Sequence, residues 1–217
     1  MDLFELSAAR TNLIATQMSN QEHQQLKLLN MLPIGSALIT PSGQLKHRHI
    51  QFIIHAASGS MTKSGSGFDP TLKSIADSLE NSIRLAMQNN IKTIAVPFIG
   101  GGIFAQRIGT TNQRIAAVLL DTAKKYSSQL QINFVIFGMP DFSLFSSLKA
   151  TMQADQISVL EGSITDFNLH GSAAIVNAAN TEVIFGGGLS GIIGRETGET
   201  QQINQEVQNL IRQFYLN

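Results

Sequence analysis

Ala174-Ile175-Val176-Asn177-Ala178-Ala179-Asn180, followed by Gly186-Gly187-Gly188-Leu189-Ser190-Gly191-Ile192-Ile193, runs from a compact apolar stretch through a glycine cluster into helical spacing. A strand that passes through glycines into a helix is the repeating unit of an α/β sheet, where ligands sit at the carboxyl ends of strands. Glycines at that point let backbone N–H groups approach a phosphate, and a helix N-terminus adds a favourable partial charge. Most glycines simply make turns, so a lone cluster is weak evidence.

A second cluster strengthens it. The apolar run Lys92 to Pro97 leads into Gly100-Gly101-Gly102. Two such loops facing one crevice would clamp a pyrophosphate from both sides. Neither cluster fits a Walker or dinucleotide fingerprint, because no Gly-Lys-Ser/Thr follows and no G-x-G-x-x-G opens a helix.

Outward from these loops the same alternation continues. Ile50 to His55 and Ile132 to Phe137 are short apolar runs suited to buried strands, and Ile157 to Leu160 is another. Between them, Leu72, Ile75, Leu79, Ile83 and Ala86 recur at helical spacing after Asp69-Pro70, an N-cap and first-turn proline. Ser58 to Gly67 reads as a Gly/Ser loop. Thr110 or Thr111 caps a helix with Ile115, Val118, Leu119 and Thr122 inward; Phe142, Phe145, Leu148 and Met152 mark a further one. Ile203, Val207, Leu210, Ile211 and Phe214 mark the last. Strands separated by single helices specify an α/β sheet covered on both faces, and no Pro-rich or charged linker divides the chain. Leu3 to Leu29 reads as helical, Gln/Asn-rich, with a weakly defined apolar face. Within it Asn20 to Leu26 matches Asn204 to Leu210 at five of seven positions. Low-complexity composition or a trimmed internal duplication would each produce this.

Composition narrows the function classes. The 217 residues carry 15 Lys+Arg and 15 Asp+Glu, a formal net charge of zero, which counts against nucleic acid and anionic membranes as partners. With no cysteine there are no disulfides, thiolate chemistry or Cys-containing metal sites. His47-x-His49 lacks a carboxylate at ligand spacing, so no metal and no cofactor is expected. His55 reads as a core histidine, whereas His23, His47, His49 and His170 read as exposed. No apolar stretch approaches the ~20 residues of a membrane helix, and no signal segment opens the chain, so a cytoplasmic location is expected.

These residues resemble a known family. Gly162-Ser163-Ile164-Thr165, Ala174 to Asn180 and Gly186 to Ile193 are similar to the opening half of a macrodomain, the ADP-ribose-binding module. Gly35-Ser36-Ala37-Leu38-Ile39-Thr40 with Ser42-Gly43, Phe52 to Ala56, Ser78 to Asn81, and Ala95 to Phe104 resemble its second half. The halves stand in reverse order. The resemblance therefore implies a circularly permuted macrodomain over residues 31–217. Its fold would be three-layer α/β/α with a mixed central sheet, preceded by a helical extension over residues 1–30.

Carried over residue by residue, the resemblance implies that Asn180 contacts the distal ribose, though an Asn capping the strand-to-helix turn is the plainer alternative. Gly186, Gly187, Gly188, Leu189 and Gly191 would line the pocket, with Asn177 beside them. Gly100, Gly101, Gly102 and Ile103 would offer N–H groups to the pyrophosphate, and Phe104 would pack on the distal ribose. Ile164 would pair its backbone with adenine, and Phe137 would touch that base or serve as a buried structural Phe. Two departures matter. The family's adenine-reading aspartate falls on Ser163, and the aspartate that positions water in related hydrolases falls on Ser190, with Phe185 just before the glycines. Asn180 and Ser190 are the catalytic candidates if there is catalysis. Binding of ADP-ribose, free or on a protein, is the first expectation; slow ADP-ribosyl hydrolysis or O-acetyl-ADP-ribose deacetylation is the alternative.

Overall fold

The last strand of the chain lies in the middle of its sheet. A computed structural model describes residues 12–59 and 70–216. In it seven strands take the order β1 (Leu13–Ile14), β2 (Ser36–Pro41), β3 (Phe52–Ala57), β7 (Ala174–Ala179), β4 (Thr93–Val96), β5 (Gln131–Ile136), β6 (Ile157–Glu161). From β3 to β6 all neighbours are parallel, and β1 and β2 add an antiparallel edge. The sheet is thus mixed, as expected, and residues on both sides of Ala150 share it.

Period-two alternation explains the layers. In β7, Ala174 and Val176 point to one face and Ile175 to the other. The first face packs on α2 (Leu72–Gln88), α4 (Asn112–Lys124) and α5 (Met139–Ala150), through Ile75, Leu79 and Ile83, Ile115 and Leu119, and Phe145. The second is covered by α7 (Gly188–Glu196) through Ile193, and by α8 (Thr200–Leu216) through Ile203, Val207, Ile211 and Tyr215. The pieces α3 (Ile103–Arg107) and α6 (Phe167–His170) are short.

Several local expectations change. Thr71, not Asp69, caps α2: its side chain accepts the Ser74 N–H, and the Ser74 side chain answers to the Thr71 N–H. Asp69 and most of the Ser58–Gly67 loop lie outside the described residues. The helix expected over Leu3–Leu29 is confined, among the described residues, to α1 (Asn20–Leu29), while Leu13–Ile14 joins the sheet as β1. The cause is capping. Ser19 accepts the Glu22 N–H while Glu22 answers to Ser19, which starts the helix there. Leu26 joins α8 in one apolar cluster, and the Tyr215 hydroxyl donates to the Met31 carbonyl at 2.6 Å. The two segments that carry the similar Gln/Asn stretches therefore meet: Asn30, at the end of α1, donates its amide to Gln208, and the His23 and Tyr215 rings stand 5.1 Å apart.

Candidate functional site

Because β4 and β7 are parallel neighbours, the glycines that follow them leave the same edge of the sheet. After β4, Gly100 and Gly102 take φ of +76° and +67°, a region in which side chains are strained, and α3 starts at Ile103 with Phe104 half-buried upon it. The Gly102 N–H donates to Asn112 Oδ1 at 3.3 Å, and Asn112 Nδ2 donates to Asp141 Oδ1 at 3.0 Å. Neither Asn112 nor Asp141 stood out in the sequence, since a helix-start asparagine and a first-turn aspartate are ordinary. Phe137, one residue beyond β5, is 85% exposed with Met139 at 59%, so it is not a structural core residue.

The loop after β7 is shaped by close approach. A Cβ on Gly191 would lie 2.3 Å from the Gly186 carbonyl oxygen, so only glycine lets α7 fold back against this loop. At Gly186, Gly187 and Gly188 a Cβ would meet nothing within 4 Å. Between Asn180 and the glycines, Val183 takes φ of +54°, a strained geometry for a β-branched residue. Helix α8 holds that turn, with Gln208 donating to the Glu182 carbonyl at 2.8 Å and Asn204 Oδ1 accepting the Phe185 N–H at 3.1 Å.

Asn180 closes its own turn. Its Oδ1 accepts the Ile184 N–H at 3.3 Å and its amide faces the Ile184 carbonyl at 3.5 Å, the capping arrangement. Asn177, expected to line the ligand, is 1% exposed: period two aims it with Ile175 under α7, where its amide meets Ser190 Oγ at 3.2 Å. It therefore stands behind the pocket surface. Ser190 and Leu189 are half-buried on the first turn of α7, and Leu189 packs on the core beneath. The Phe185 ring fills the space where Gly194 has no side chain and lies 5.4 Å from His55.

After β6, exposed Ser163 pairs its hydroxyl with Thr165 at 3.0 Å and buried Ile164 gives its carbonyl to His170 Nε2 at 2.9 Å. His170 is 6% exposed, against expectation. The Asp166-capped α6 turns its ring inward, where Nδ1 accepts the Ser172 N–H, and desolvation holds its pKa below the usual value. Ser163 and Thr165 also border a cavity of about 300 Å³ with Arg48, His49, Asp166 and Phe167. His47 and His49 are exposed, and among the described residues no group of three His, Cys, Asp or Glu could hold a metal ion. No helix among them is long and apolar enough to cross a membrane.

Fold and loops together define a three-layer α/β/α domain whose glycine-bearing loops leave the carboxyl edge of a mixed sheet. Comparison with known proteins names the class. The macro domain family model matches residues 11–115. A macro domain-containing protein of Caldanaerobacter subterraneus subsp. tengcongensis is 33% identical over 117 residues, covering 52% of this chain and 61% of that protein. One of Cupriavidus necator is 33% identical over 114 residues, covering 52% and 62%. A protein-ADP-ribose hydrolase of Treponema medium is 27% identical over 131 residues, covering 60% and 46%. Over residues 11–115 the chain is similar to the macro domain family, and its mixed α/β sheet is consistent with that fold. It spans less than two thirds of the length of each of these relatives.

Proposed function

We propose that this chain binds ADP-ribose, free or as a mono-ADP-ribosylated protein, at the carboxyl edge of β4 and β7, and that it is a macrodomain in circularly permuted order over residues 31–217. The observation that carries the reading is the pair of glycine loops on neighbouring parallel strands. The first supplies backbone in conformations that residues with side chains rarely adopt; the second leaves open space where side chains would otherwise stand. Such loops suit a pyrophosphate, which needs close N–H donors and no side chains in the way. Exposed Phe137 offers an apolar face for the base. The permutation is supported by β7, which comes last in the chain yet pairs with β3 and β4 at the centre.

Binding is favoured over turnover by Ser190. A hydroxyl is too weak a base at neutral pH to deprotonate water. Hydrolysis is kept as the second reading because of the Treponema medium relative's name. Calorimetric titration with ADP-ribose, ADP, AMP and a single-stranded oligonucleotide tests the proposal. Saturable 1:1 binding of ADP-ribose, stronger than AMP and without oligonucleotide binding, is expected; no heat with ADP-ribose overturns it.

A further inference from the structure

Three buried polar side chains lie in a row on the sheet face that α7 and α8 cover, one on each of three neighbouring strands: Thr40 on β2, His55 on β3 and Asn177 on β7. The row is continuous. Thr40 Oγ1 lies 3.0 Å from His55 Nε2, His55 Nδ1 lies 3.3 Å from Asn177 Nδ2, and that same amide nitrogen lies 3.2 Å from Ser190 Oγ. We infer that this row sets the hydrogen-bonding polarity of Ser190, presenting its hydroxyl to the ligand crevice as a donor, with Thr40, His55 and Asn177 as positioning residues.

The direction follows from counting protons. A carboxamide NH2 has two N–H groups, and here one faces Nδ1 and the other faces the serine oxygen. A ring nitrogen that accepts carries no proton, so the neutral ring is protonated on Nε2 and donates to Thr40. The Ser190 oxygen, already accepting from Asn177, keeps its own O–H for an outward partner. Reversing the carboxamide would reverse everything: its oxygen would take protons from Nδ1 and from Ser190, leaving the serine an acceptor towards the crevice. That arrangement strands both N–H groups where Asn177 Oδ1 now lies buried without a partner. A stranded carbonyl oxygen is the better tolerated of the two. Burial also pushes His55 down to about 3, so the ring stays neutral at working pH.

The position that resembles a water-orienting aspartate thus carries a donor, suited to an acceptor oxygen of the ligand. That consequence rests on the proposed ADP-ribose site; the polarity itself does not. The test begins with the wild-type full chain, labelled with 15N-histidine, whose ring nitrogens are read by NMR between pH 6 and 8. The expected result is His55 with the proton on Nε2; a proton on Nδ1 overturns the inference. ADP-ribose titration supplies the second arm. Ser190→Ala should weaken binding about threefold to tenfold, one neutral hydrogen bond, and Ser190→Thr should retain it. Asn177→Asp, accepting where Asn177 donates, should move the ring proton to Nδ1 and match the Ser190→Ala loss. A folded Asn177→Asp variant that switches the tautomer yet binds as wild type overturns the role of the row. Wild-type protein with the Nε2 proton but no ADP-ribose binding defeats the proposed function and leaves the polarity standing.

Discussion

Asn204, on the first turns of α8, accepts the backbone N–H of Phe185 through its Oδ1 at 3.1 Å. A helix on the far side of the cover therefore holds the residue that precedes the second glycine loop. One turn on, Gln208 holds the Glu182 carbonyl and also takes the Asn30 amide, so α1 and α8 act jointly on this strained turn. The repeated Asn-Gln-Glu stretch thus has a structural task, at least in its second copy.

Asn204→Ala should therefore loosen the loop while leaving the sheet intact. Losing one such hydrogen bond is worth about 1 kcal/mol, so ADP-ribose affinity is expected to drop about fivefold by calorimetry with little change in Tm. A drop in Tm with unchanged affinity would assign Asn204 to stability alone.

The two glycine loops respond differently to a side chain. Gly187 has φ of −89° and open space around a Cβ, so Gly187→Val should fold with nearly wild-type stability and still abolish binding by filling the crevice. At Gly101 a Cβ would lie 2.5 Å from the Phe98 ring, so Gly101→Val should lose both binding and stability. Parallel melting and titration curves separate the two cases. Wild-type binding by Gly187→Val would show that the second loop does not face the ligand.

Circular permutation makes a chain-level prediction. Residues 152–217, moved ahead of residue 12 through a short flexible linker, should give a protein with the same fold and the same ADP-ribose affinity. The new terminus falls between α5 and β6, in a turn that carries no strand pairing, while Leu13 and Tyr215, near the joined ends, already pack in one apolar cluster. Failure to fold would contradict the permuted reading; circular dichroism and titration decide.

Legibility in the sequence followed the strength of local signals. The glycine clusters, the long amphipathic α2 and α8, and the strand at 174–179 each announce themselves through period and glycine spacing. The N-terminal segment did not, because Gln-rich helix and edge strand both lack a sharp apolar face; the local signal there is the Ser19–Glu22 capping box, which marks the start of α1. Asn177 could have been placed from alternation alone, since it shares a face with Ile175. The inward turn of His170 was beyond reach, because it depends on a four-residue helix and on a carbonyl six residues back in the chain. Asn112 and Asp141 meet only through the tertiary packing of α4 against α5.

Buried neutral histidines predict a pH dependence of stability. The folded pKa of His55 is pushed down to about 3 by desolvation, far below its unfolded value, and that of His170 is lowered for the same reason first. Below the unfolded pKa, about 6.5, the unfolded chain binds protons that the folded chain refuses. Stability is therefore complete above that pH and is lost as pH falls, at about 1.4 kcal/mol per unit for each fully refused proton. Urea unfolding at pH 7.5, 6.0 and 5.0 should show the decline before carboxylates titrate, and His55→Gln should flatten it. An unchanged slope in that variant would place the effect elsewhere.

Catalysis offers the sharpest separation of the two functional readings. Wild-type protein should release ADP-ribose from a mono-ADP-ribosylated protein slowly or not at all, because Ser190 holds a donor where a base is needed. In Ser190→Asp a carboxylate would accept the Asn177 amide that Ser190 Oγ now accepts, and would stand ready to take a proton from water. General-base assistance is worth about 10²–10⁴ in rate, so a rise of at least tenfold is expected provided binding survives. Asn180→Ala serves as the control for the site, since its carboxamide must leave Ile184 to meet a ribose. Release and affinity are measured side by side for all three proteins. Robust wild-type turnover that survives Asn180→Ala would defeat the site assignment. Robust turnover that Asn180→Ala abolishes would keep the site and make the protein a hydrolase.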